Sequence, residues 1–154
     1  MALDKLVNST ALDTGLTSIA NAIRTKGGTS EQLTFPNGVT SIGAQTFSTC
    51  YALSSITIPD GVTSIGNNAF SSCYSLSSIT IPDSVTSIGD SAFNNCYGVK
   101  EYHILPATVP TGGTGMFRNI ISDCIIYVPK GHLNDYQTAT NWSTYASYMQ
   151  EEPE

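Results

Sequence analysis

One interval governs this chain. Shifted against itself by 23 positions, the run from Leu53 to Cys73 falls on the run from Leu76 to Cys96 with 16 of 21 residues identical. Upstream, Leu33, Phe35, Pro36, Val39, Ile42, Gly43, Phe47 and Cys50 hold the same phase. Downstream, Val99, Tyr102 and Ile104 carry it until Leu105 and Pro106 break it. That makes about three full units and the start of a fourth. A unit this short cannot bury its own apolar side, so a fixed period of this size implies units stacked on one another, each neighbour supplying the cover. The 154 residues and 40% hydrophobic content suffice for one domain with a core.

The spacing inside the unit assigns the faces. Leu53, Ile56 and Ile58 form an L-x-x-I-x-I pattern whose last two members alternate as in a half-buried strand, sending Ser55 and Thr57 to the opposite face. Pro59 ends the pairing because it has no N–H to donate. After the Asp60-Gly61 turn, Val62 and Ile65 face inward again and Gly66 permits a tight bend. Ala69, Phe70 and Cys73 fit a short helical or irregular return that lays Phe70 against the next coil and leaves Ser71 outside. Stacking then makes ladders of Ile, Phe, Val and Cys.

The unit L-x-x-I-x-I-P-x-x-V-x-x-I-G-x-x-A-F-x-x-C resembles the BspA-type, or Treponema pallidum-type, leucine-rich repeat over residues 33–105. The resemblance implies a curved solenoid with strands on its concave side, adhesion or recognition roles, and no catalytic residues. The expected fold class is therefore an α+β repeat: a short leucine-rich-repeat solenoid of 23-residue units, with a helical N-terminal segment and a strand-helix C-terminal cap.

Both ends depart from the repeat. Within residues 1–32, Leu12, Leu16, Ile19 and Ile23 recur at helical spacing, Asp13 or Thr14 can cap the start, Arg24 and Lys26 suit the negative end of the dipole, and Gly27-Gly28 stops the helix. This helix either covers the open apolar end of the solenoid or, with Leu3, Leu6 and Val7, joins another chain, in a homo-oligomer or a larger particle. The run from Leu12 to Gly28 also resembles N-terminal segments of tail-associated proteins of phages and prophages of Gram-positive gut bacteria. Residues 106–150 are expected to form the C-terminal cap. It begins with a terminal strand, Cys124-Ile-Ile-Tyr-Val-Pro129, followed by Leu133, Tyr136, Trp142, Tyr145 and Tyr148 to hide the last coil's apolar face. Residues 151–154 are expected to be a disordered tail. The Thr111-Gly-Gly-Thr-Gly115 run lacks the Lys of a phosphate loop and is expected to be a mobile connection.

Charge removes several functions. The formal charge is -6, and no Lys or Arg lies between Lys26 and Lys100, which argues against nucleic acid because phosphates select basic stripes. The N-terminus has charges where a signal peptide needs a continuous apolar run, and no segment approaches the roughly 20 apolar residues of a membrane span. The expectation is a chain that does not insert in a membrane. It would be virion-associated or extracellular without its own signal peptide, and cytoplasmic if not part of a particle. His103 and His132 lack the neighbours of a triad or metal site, so neither catalysis nor a cofactor is expected. Cys50, Cys73 and Cys96 share one phase at a spacing far from that of zinc ligands, which points to buried free thiols, and Cys124 is expected to be buried at the start of its strand.

Two polar ladders remain as candidate binding residues. Thr34, Thr57, Thr80 and His103, flanked by Ser55, Ser78 and Glu101, would pave the concave face. Tyr51, Tyr74 and Tyr97 would stack along one edge, where they either meet a ligand or merely cover the turn before the next strand. Tyrosine offers large contact area at low entropic cost. The expected partner is a glycan or protein on a bacterial or host cell. The leading reading is a phage or prophage tail-associated recognition protein, beside a cell-surface adhesin fragment and a purely structural assembly subunit.

Overall fold

The structure, a computed structural model, describes Phe35 and residues 38–154. Leu33, Thr34, Pro36 and the expected N-terminal helix lie outside the described residues. The chain winds as stacked coils joined by two parallel ladders. One joins β1 (Ser41–Ile42), β2 (Ser64–Ile65), β4 (Ser87–Ile88) and β6 (Thr111–Gly112). The other joins β3 (Ser78–Ile81), β5 (Glu101–Ile104), β7 (Ile125–Val128) and β8 (Met149–Glu151). Every pairing is parallel. The second ladder is the expected L-x-x-I-x-I strand. The first was not expected as strand, because a two-residue pairing is too short for alternation to show. The inward residues do match: Val62 and Ile65 are buried.

The third side of each coil is neither helix nor strand. Residues 44–49, 67–72 and 90–95 make turns in which alternate N–H groups close locally, as in Ala69 to Gly66 and Ser71 to Asn68. The intervening ones donate to the next coil: Asn68 to Asp90, Phe70 to Ala92 and Ser72 to Asn94, each at 2.8 or 2.9 Å. This path requires left-handed backbone at Asn68 and Ser72 and at their counterparts, including Ser91 and Asn95. Each costs of order 1 kcal/mol for a residue with a β-carbon. The hydrogen bonds to the neighbouring coil hold it in place. Gly66 answers a different need, since a β-carbon there would stand 2.6 Å from the Ala44 nitrogen of the coil before.

All five phenylalanines of the chain form one column. Phe47 stacks on Phe70 at 5.2 Å between ring centroids, Phe70 on Phe93 at 5.3 Å and Phe93 on Phe117 at 5.6 Å, with Phe35 edge-on to Phe47. Beside it runs a thiol ladder: Cys73 donates to the Phe47 carbonyl and Cys96 to the Phe70 carbonyl, both at 3.1 Å. All four cysteines, Cys124 included, are free and buried. Ser71, expected outside, is buried instead, because the following coil closes over the turn that contains it.

The coils continue past the point where the pattern breaks. Strand partners lie one 23-residue step apart from β1 to β4 and from β3 to β5; the step to β6 and to β7 is one residue longer. That insertion, together with Gly112 in the place of Ile65 and Ile88, hides the last coil from a fixed-period comparison. The side of Gly112 that lacks a side chain is occupied by Trp142 and Met116. The Thr111–Gly115 run is thus not a free connection: β6 lies within it, Gly113 donates to Ile88, and Thr114 donates to the Asp90 carboxylate. The aromatic closure agrees with expectation. α1 (Leu133–Thr138) and a 3-10 helix (Ser143–Tyr148) bury Tyr136, Trp142 and Tyr145 over the end of the column. Their polar atoms are matched: the Trp142 indole N–H donates to the Pro110 carbonyl at 2.7 Å, and Tyr136 donates to the Pro106 carbonyl. Residues 151–154, expected to be disordered, are tied down because β8 pairs with β7, Glu152 donates to the Val128 carbonyl, and Glu154 pairs with Lys130.

Two outcomes follow. Phe70→Ala should lower stability by about 3 to 5 kcal/mol, because it opens a gap between two coils. Asp83→Ala, at an exposed turn, should change it by less than about 0.5 kcal/mol. Equal small losses in urea titration would contradict the stacking. The thiols should resist alkylation until denaturant is added. Burial pushes the Cys96 thiol from 9.0 up to about 12 and the Cys124 thiol up to about 11. A proton held more tightly when folded gives stability that is intact below the unfolded value and lost above it, so the melting temperature should fall as pH rises from 9.0 towards 12. A flat profile there would contradict it.

Candidate functional site

The outward face of the second ladder gathers most of the residues expected to bind. Alternation in β3 turns Ile79 and Ile81 inward and leaves Ser78 and Thr80 exposed. Register aligns Ser78 with Glu101 and Ile125 in one row, and Thr80 with His103, Tyr127 and Gln150 in the next. Ser55 and Thr57 flank buried Ile56 one unit earlier and are also exposed. The N-terminal half of this face is therefore short hydroxyls. Thr34 of the same expected row lies outside the described residues.

The C-terminal half is different in kind. His103, expected to be exposed, is half-buried: its ring lies 5.0 Å from that of Tyr127, nearly parallel to it. Its Nδ1 is 2.7 Å from Glu152 Oε1, and its Nε2 is 3.5 Å from Glu101 Oε2. Tyr127 and Glu152 were not found by sequence reasoning. Tyr127 carried a signal, since a step one residue longer places it in the row of His103. Glu152 carried none, because only the pairing of β8 brings it there.

The tyrosine column forms as expected. Tyr51 stacks on Tyr74 at 5.0 Å and Tyr74 on Tyr97 at 5.6 Å, both pairs inclined by 23°. The rings are 52%, 44% and 49% exposed, so neighbouring coils leave about half of each to solvent. The Tyr97 hydroxyl donates to Asn95 Oδ1, which also accepts from the Asn119 amide. In each unit the tyrosine precedes the first strand-face residue by four positions: Tyr51 before Ser55, Tyr74 before Ser78, Tyr97 before Glu101. The column thus lines the corner where the turn side passes into the strand side.

Among the described residues, no three His, Cys, Asp or Glu side chains converge as a metal would need. No helix among them is long and apolar enough to cross a membrane. The face can offer hydroxyl hydrogen bonds, aromatic contact and, around His103, a carboxylate-bordered ring.

Comparison with known proteins places this arrangement. The sequence matches the BspA type leucine rich repeat region, in six copies, over residues 15–138. A leucine-rich repeat protein of T. pallidum has a similar structure, with a TM-score of 0.54 and 23% identity over 66% of this chain and 59% of that one. The present chain therefore spans about three fifths of that protein. A leucine-rich cell surface protein of Faecalibacterium prausnitzii aligns with 24% identity and a TM-score of 0.31, over 64% of this chain and 41% of its own. No curated protein matches. At that identity the T. pallidum structure bears on the fold alone, whereas the repeat match extends over most of the sequence: the chain belongs to the BspA-type leucine-rich repeat family.

Proposed function

We propose that this chain is a non-catalytic recognition module that holds a protein or glycan of a cell surface against its strand face and tyrosine column. The observation that carries this reading is the column itself. Three stacked rings stay about half exposed, and among the described residues Leu105 is the one other large apolar side chain exposed to a similar degree. Aromatic side chains supply a large share of binding energy at interfaces, and rings already stacked lose little freedom on contact. The adjoining hydroxyls of Ser55, Thr57, Ser78 and Thr80 supply hydrogen bonds without charge, and Glu101 and His103 mark the end where polarity rises.

Adhesion is the form of recognition that family membership favours. A place in a phage or prophage tail is a second reading, supported by the resemblance of residues 12–28. Attachment that survives the loss of the tyrosines but not of the N-terminal segment would favour that reading or an assembly subunit.

The test is binding of labelled protein to intact bacterial and mammalian cells. Changing Tyr51, Tyr74 and Tyr97 together to Ser should weaken attachment at least about tenfold with the fold retained, as aromatic anchors dominate such contacts. Attachment should also change little with salt, because no basic residue lies between Lys26 and Lys100. Undiminished binding by this triple variant would refute the reading.

A further inference from the structure

Where the last coil meets the cap, a cleft of about 540 Å³ opens between residues 114–120 and residues 141–148. It meets the tyrosine column at Asn119, whose amide donates to the Asn95 Oδ1 that also accepts the Tyr97 hydroxyl, but its chemistry is of another kind. Following the phenylalanine column, the residue after the ring is Ser71 and then Asn94; after Phe117 it is Arg118, which lines this cleft. The other two cations among the described residues are neutralised, Lys100 by Asp123 at 2.7 Å and Lys130 by Glu154 at 2.9 Å. Arg118 has no carboxylate within ion-pair distance among the described residues, and no Asp or Glu lines the cleft. In a chain of formal charge -6 this is a local positive site without a counterion among the described residues.

Arg118 is exposed, and its guanidinium lies beside Gly115. Gly115 has φ +65°, and a β-carbon there would lie 3.1 Å from Arg118 Nε and 3.3 Å from an Nη atom, so the side chain lies close against the Gly115 backbone. In earlier coils the corresponding left-handed residues are Asn68 and Ser91. Tyr145 braces the floor, its hydroxyl accepting the Phe117 N–H at 3.2 Å. Tyr148, half-buried, lines the same wall with Thr144, and Asn119, whose NH2 is held by Asn95, adds its amide oxygen. A planar cation, a partly open aromatic ring, hydroxyls and an amide around a volume within the usual ligand range of about 300 to 1,000 Å³ suit one ligand chemistry. The cation pairs with a carboxylate through two N–H groups, the ring takes the apolar face of a sugar, and the remaining groups take its hydroxyls.

We propose that this cleft is a second binding site, one that takes a sugar unit bearing a carboxylate, with Arg118 on the carboxylate and Tyr148 against the sugar ring. The test is saturation-transfer NMR on the full chain with D-glucuronate, D-galacturonate and N-acetylneuraminate, beside D-glucose and the peptide acid acetyl-alanyl-alanine. At least one acidic sugar should bind about tenfold or more tightly than glucose and the peptide acid. Arg118→Gln and Tyr148→Ser should each weaken it about tenfold or more, Arg118→Lys should weaken it less, and Lys130→Gln should leave it unchanged. The variant lacking Tyr51, Tyr74 and Tyr97 should still bind the sugar, which separates this site from the surface proposed above. Absence of binding by all three acidic sugars, equal binding of glucose, tighter binding of the peptide acid, or retained binding in Arg118→Gln with a native melting curve would overturn the proposal.

Discussion

No coil of this protein can satisfy itself, and the rest of the structure follows from that. The turn segment around Phe70 is left-handed at Asn68 and Ser72, a path that leaves every second N–H without a local partner. Those groups are met only by the carbonyls of Asp90, Ala92 and Asn94 in the next coil, while Phe70 finds its faces covered only by Phe47 and Phe93. Ring contact and backbone pairing therefore stand or fall together. An aromatic pair contributes about 0.5 to 1.5 kcal/mol beyond the area it buries, and the column repeats that gain at each step. The two ends need closure of another kind, and at the C-terminal end Trp142, Tyr136 and Tyr145 provide it with their own polar atoms matched.

This dependence decides where recognition chemistry can sit. Inward positions are held to Ile, Val, Phe and Cys by the neighbouring coil, so variation falls on outward rows. Along them the character shifts: Ser55 and Thr57, then Ser78 and Thr80, then Glu101 and His103, then Ile125 and Tyr127. The distinctive groups gather in the later coils, where the repeat pattern also loosens. Arg118 and the cleft around it belong to the same trend. The tyrosine column is the exception, because it is regular and exposed at once.

The sequence made the inward ladders and the tyrosine column legible because identical residues at a fixed interval must stack on one another. It also made the aromatic closure legible, since Tyr136, Trp142 and Tyr145 have no other cover near the end of an array. The short ladder at Ser64–Ile65 was hidden because two residues carry no alternation. The coil through Phe117 was hidden by one inserted residue and by Gly112, whose missing side chain is replaced from the cap. The surroundings of His103 were hidden because Glu152 arrives from 49 residues away through a strand with no repeat signature. Long-range pairing outside the period leaves no trace in local spacing, and here it shapes the most chemically varied part of the surface.

Native-state hydrogen exchange tests the mutual dependence of the coils most directly. The amides of Phe47, Phe70 and Phe93 each donate across to the following coil, so they should exchange together at the rate set by global unfolding. In Phe70→Ala all three should speed up by a common factor. Acceleration confined to residue 70, with Phe47 and Phe93 still protected as before, would show that the coils hold independently and would contradict the account.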